Sequence, residues 1–85
     1  MSYITDLERT REREALLWEV KKALALTDAQ FRTMLKTMYD GKLQQRNILK
    51  KYDDGTDEIV LEQLYQCSIT LVALDSVLKA LPEEV

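Results

Sequence analysis

The amino-acid sequence predicts an all-α fold, an antiparallel three-helix bundle or hairpin with heptad-like packing. Three observations carry that expectation. First, apolar residues recur at helical spacing in every long segment, most regularly from Thr56 to Leu81. Second, two Gly and one Pro against abundant Leu, Ala, Glu, Lys, Arg and Gln are the composition of long helices. Third, no run of alternating β-branched residues offers a strand. Eighty-five residues make one domain. A chain of that size hides only about 60–65% of its unfolded surface, so a partner or a second copy would add stability it lacks alone.

The first helix is expected over Thr5 to Leu26, opened by a Thr5-x-x-Glu8 capping box with Ile4 as the staple residue. Its halves differ. From Glu8 to Glu14 there is no aliphatic side chain, whereas Ala15, Leu16, Leu17, Trp18, Val20, Ala23, Leu24 and Leu26 make an apolar half. We therefore expect the charged half to be solvated or to project toward a partner, and the apolar half to pack. A second capping box, Thr27 with Gln30, begins the next helix after almost no linker. Phe31, Met34, Leu35, Met38 and Tyr39 follow amphipathic spacing, and then Asp40-Gly41 interrupts. Gly41 either ends this helix in a left-handed cap or is carried inside a helix that runs on to Tyr52, since 31, 34, 38, 41, 45, 48 and 52 keep heptad spacing. The continuous form, with a kink allowed, is the expected one. A Gly there costs about 1 kcal/mol relative to Ala, tolerable if it admits a bulky side chain such as Trp18.

Asp53-Asp54-Gly55 closes the second helix, Thr56 with Asp57 and Glu58 opens the third, and Pro82 stops it ahead of the acidic Glu83-Glu84-Val85. Val60, Leu64, Cys67, Leu71, Leu74, Leu78 and Leu81 alternate spacings of four and three, the seam of a heptad helix. A second stripe, Leu61, Tyr65, Ile69 and Val72, lies on the flank and back, and no charge falls between Glu62 and Asp75. A short chain is not expected to cover both stripes, so these four residues are the candidate partner-binding surface, with Tyr65 as its aromatic anchor. The competing reading is that a bent first helix, or Tyr3 and Ile4, covers them within the monomer.

Function classes narrow by what is missing. With no His, the commonest general base and most zinc sets are absent, and Cys67 falls on the core seam as a small apolar residue. We expect no enzyme activity, cofactor, metal or small-molecule substrate. The loop around Gly55 fails a calcium register: with Gly55 sixth, the first, third and twelfth positions are Lys50, Tyr52 and Leu61, none a carboxylate. One cysteine excludes an internal disulfide and suits a reducing compartment. No basic leader runs into an apolar stretch, and Gln63 to Leu74 is too short to span a bilayer, so a cytoplasmic protein with no membrane span is expected. A net charge of −3 disfavours nucleic acid. Lys42, Arg46, Lys50 and Lys51 form a basic stripe on the second helix, a solvated face or an electrostatic dock for an acidic partner.

The segment Leu71-Val72-Ala73-Leu74-Asp75-Ser76-Val77-Leu78-Lys79-Ala80-Leu81, and the opening Met1-Ser2-Tyr3-Ile4-Thr5-Asp6-Leu7-Glu8, resembles the small helical-hairpin E-type chaperones of type III secretion needles. The resemblance implies a cytosolic, non-enzymatic protein that joins a helical-repeat partner to hold an aggregation-prone needle subunit. The Thr27 to Tyr52 segment is longer and more basic than such a hairpin requires. The functional expectation is thus a helical protein–protein interaction module acting as a co-chaperone or adaptor. The alternatives are a self-associating two-fold homodimer, a phage or mobile-element protein that occludes a host enzyme, and a nucleic-acid-binding helical domain using the basic stripe.

Overall fold

The computed structural model describes residues 3–82, with side chains from Thr5 onward. The staple at Ile4, any cover from Tyr3 and Ile4, and the acidic tail lie outside the described residues. The fold is all-α: α1 (Tyr3–Ala23), α2 (Asp28–Tyr52) and α3 (Glu58–Ala80). Helix α3 lies in the middle, with α2 antiparallel along one side and α1 parallel along another. Cross-links show the register: Tyr65 meets Asp6 and Gln66 meets Arg13, whereas Arg32 reaches the Pro82 carbonyl. Helices α1 and α2 each pack on α3 and touch one another little away from the corner that joins them.

That corner is built by hydrogen bonds that turn the chain at once. Leu24 N–H donates to the Val20 carbonyl at 3.0 Å, and Leu26 N–H reaches back to the Lys21 carbonyl at 3.0 Å. Between them Ala25 takes φ 52°, the left-handed conformation that ends many helices. Lys21 pairs with Asp28 across the corner at 3.1 Å. An alanine pays a Cβ penalty there that glycine avoids. We expect Ala25→Gly to raise stability by about 0.5–1 kcal/mol after the greater chain entropy of glycine is subtracted. Thermal unfolding followed by circular dichroism should show the melting temperature rise by about 2–8 °C.

The Thr27–Gln30 capping box forms as the sequence suggests, with Gln30 N–H donating to Thr27 Oγ1 at 3.1 Å and Thr27 N–H to Gln30 Oε1 at 3.0 Å. Helix α2 then runs unbroken through Gly41. No atom lies within 4 Å of where a Cβ at Gly41 would stand. Trp18 instead packs on Phe31, ring centroids 5.4 Å apart and tilted by 49°. The glycine therefore opens onto space. At the other ends two boundaries shift. Thr5 lies inside α1, which already runs from Tyr3. The cap of α3 is Asp57, whose carboxylate accepts from Ile59 N–H at 2.9 Å, while Thr56 is engaged by Asp54 through its N–H and its hydroxyl. Those same two hydrogen bonds, the backbone one foremost, hold the Asp54 carboxyl below its ordinary range.

The core is the junction of the three helices near the corner: Phe31, Leu35, Leu74, Val77 and Leu81, flanked by Leu17, Leu26, Met34, Tyr39 and Leu78. The α3 seam is buried at Cys67, Leu71, Leu74 and Leu81, and Val60, Leu64 and Leu78 are half-buried. Helix α1 departs from expectation. Its charged half packs: Thr10 is buried, its hydroxyl donating to the Asp6 carbonyl at 2.8 Å, and Arg9 and Arg13 lie against α3. Its apolar half is left partly open, with Leu16 59% exposed and Leu24 more so. Polar partners on α3, Tyr65 and Gln66, explain why one face of the charged half packs, while Leu17 and Trp18 of the apolar half join the core as expected and Glu8, Arg11 and Glu12 stay in solvent.

Candidate functional site

The stripe Leu61, Tyr65, Ile69 and Val72 is divided by the fold. A step of four residues turns a helix about 40° past a full circle, so 61, 65 and 69 walk about 80° around α3, and the three-residue step to 72 returns about 60°. Leu61 and Val72 stay open, the latter 57% exposed, whereas Ile69 ends 7% exposed on the face that meets α1. Tyr65 sits at the edge between them. Its hydroxyl donates to the Asp6 carboxylate, and the Arg9 guanidinium lies over its ring, 5.6 Å from the centroid. The hydrogen bond to Asp6 is the main reason its phenol titrates above its ordinary range, with burial and the Asp6 charge adding to it. The four residues do not share one open face.

The basic stripe divides as well. Lys42 is half-buried and donates to Gln45 Oε1 at 3.2 Å. Arg46, half-buried, lines an outer cleft of about 330 Å³ between α2 and α3, with Tyr39, Ser68, Leu71, Val72 and Asp75. Asp75 pairs with Lys79 at 2.8 Å, which raises the Lys79 ammonium above its ordinary range. Lys50 and Lys51 are exposed. Among the described residues, no carboxylate pairs with Arg46, Lys50 or Lys51.

A surface on the opposite side was missed by sequence reasoning. Because α1 and α2 splay apart over α3, an apolar groove of about 190 Å³ opens between them. Leu16, Leu17 and Val20 form its α1 wall, Met38 its α2 wall, and Ala73 and Leu74 its floor, with Arg13 and Thr70 also lining it. Met38 belongs to the heptad series 31, 34, 38, 41, 45, 48 and 52, and residues at that spacing share a helix face. Phe31 and Met34 turn that face into the core, and from Met38 onward it is open: Gln45 is exposed, Ile48 is 55% and Tyr52 76% exposed, and Gly41 faces space. The spacing of the series is legible in the sequence, but spacing does not tell its covered half from its open one. The signal that could have separated the two is its content, since Gly41 and Gln45 are poor core residues.

No match emerges from comparison with known family models, curated proteins or solved structures. Among the described residues no group of three or more Cys, Asp or Glu is placed to hold a metal. No helix in the described residues is long and apolar enough to cross a membrane.

Proposed function

We propose that this chain is a non-enzymatic helical module that binds another protein through the open face of α2 and its groove with α1. One observation carries the reading: three apolar side chains left in solvent, Met38, Ile48 and Tyr52, stand in register on one helix face, and Met38 meets Leu16 and Val20 across a groove. Single exposed apolar residues are ordinary, but several aligned on one face next to an apolar groove suit an interaction site. A helix carrying a heptad seam is the form that recognises a second helix by side-chain interdigitation. Within this class, the likeness of Leu71 to Leu81 to the needle chaperones supports a cytosolic co-chaperone or adaptor as the finer proposal.

The test is capture from native lysate with tagged protein, read by mass spectrometry. Ile48→Glu should abolish capture of a specific partner while far-UV helicity stays at the wild-type level, because Ile48 contributes little to the core. Ser76→Glu, an equal charge at an exposed position of α3, serves as the control that retains capture. Equal capture by wild type and Ile48→Glu would remove the reading. Light scattering on the same samples separates self-association, which would give a concentration-dependent dimer.

A further inference from the structure

Resting on the reading that α2 is a docking face, we infer that its occupant is an acidic amphipathic helix of another protein, selected by Lys42 and Lys51. The argument is one of charge placed around an apolar seam. The whole chain carries −3, yet α2 alone holds six basic residues against two acidic ones. An acidic protein carries half of its basic residues on the helix whose seam is open from Met38 onward.

The placement is specific within α2. With Gly41 and Ile48 at the d positions of a heptad and Gln45 and Tyr52 at the a positions, Lys42 falls at e and Lys51 at g. Those are the positions whose charges face a partner helix and set its identity. Neither lysine has a carboxylate partner among the described residues, and the contact of Lys42 is with the neutral Gln45. The open space over Gly41 allows a second helix backbone to approach closely at mid-seam. A second copy of this chain is disfavoured as occupant, since its own α2 would bring the same basic excess against the first. Glutamates at e and g of a partner helix would answer both lysines at once.

The probes are two labelled synthetic helices of about three heptads, each with Leu at a and d, one with Glu and the other with Lys at every e and g position. Fluorescence anisotropy with the full chain should show binding of the acidic helix, weakened by salt and lost on Ile48→Glu. The basic helix should bind about tenfold more weakly, two exposed pairs supplying that ratio. The double variant Lys42→Glu/Lys51→Glu should reverse the preference. Equal binding of both helices, or a preference that the double variant leaves unchanged, overturns the charge assignment while the docking face stands on its lysate test. Binding of neither helix overturns the helical occupant, as does binding that survives Ile48→Glu. A wild-type dimer in light scattering that Ile48→Glu dissolves overturns it in favour of a second copy.

Discussion

Ile69→Asp is expected to destabilise the chain by about 3–5 kcal/mol, whereas Val72→Asp, three residues along the same helix, should change stability by about 0.5 kcal/mol or less. Both belong to one sequence stripe, and only their positions around α3 differ. Ile69 shares its face with Tyr65, Gln66 and Ala73, all placed against α1, so its side chain sits in the α1–α3 interface. Aspartate there loses the apolar burial, and its short side chain cannot carry a charge past α1 into water. Val72 already faces water. Urea denaturation followed at 222 nm distinguishes the two, with a large fall in midpoint for Ile69→Asp alone. Because α1 packs on α3 less extensively than α2 does, the Ile69→Asp transition should lose cooperativity as α1 separates first.

Phe31→Ala should have an effect of similar size, about 3–5 kcal/mol, for a different reason. Phe31 is wholly buried where all three helices meet near the corner, beside Leu35, Leu74 and Val77 and against the Trp18 ring. Removing the ring leaves a cavity and breaks the link between α1 and α2, which have little else in common away from the corner. Small domains hold on the order of 5–10 kcal/mol in total, so this single truncation should leave a large unfolded fraction at 37 °C. Trp18 is the only tryptophan, which makes its emission a direct report: it should shift to the red in Phe31→Ala under native conditions. An unshifted emission and an unchanged midpoint would show that the corner is not the core.

The sequence made the number, type and order of the helices legible because capping and periodicity are local. Thr27 and Gln30 act within one turn, and their box is found as read. Gly41 could be carried in a continuous helix because α2 is long enough to absorb its cost. What was not legible depends on which helix faces which. The charged half of α1 packs because Tyr65 and Gln66 stand opposite it, a fact about α3 that no property of α1 contains. The same absence of neighbour information leaves open where the α2 seam passes from the core, at Phe31 and Met34, to solvent beyond them. Heptad spacing announces that a helix wants another helix beside it and is silent on whether that helix belongs to the same chain. At the α3 cap, Asp57 and Thr56 are both good candidates, and Asp54 decides between them by engaging Thr56.

Helix α3 is covered on two sides by its own chain while the seam of α2 beyond Met34 lies in water, and thiol labelling measures both at once. In a Cys67→Ala background, Ile48→Cys and Ile69→Cys each present a single thiol to a maleimide under native conditions, and the native Cys67, itself buried, provides a third position. The prediction is that the thiol at 48 reacts at close to the rate of a free thiol, while those at 67 and 69 react only as the protein opens and are slower by about 100-fold or more. Rapid reaction at 69 with protection at 48 would mean that the open and covered faces are the reverse of those described, and both the docking face and its proposed occupant would fall.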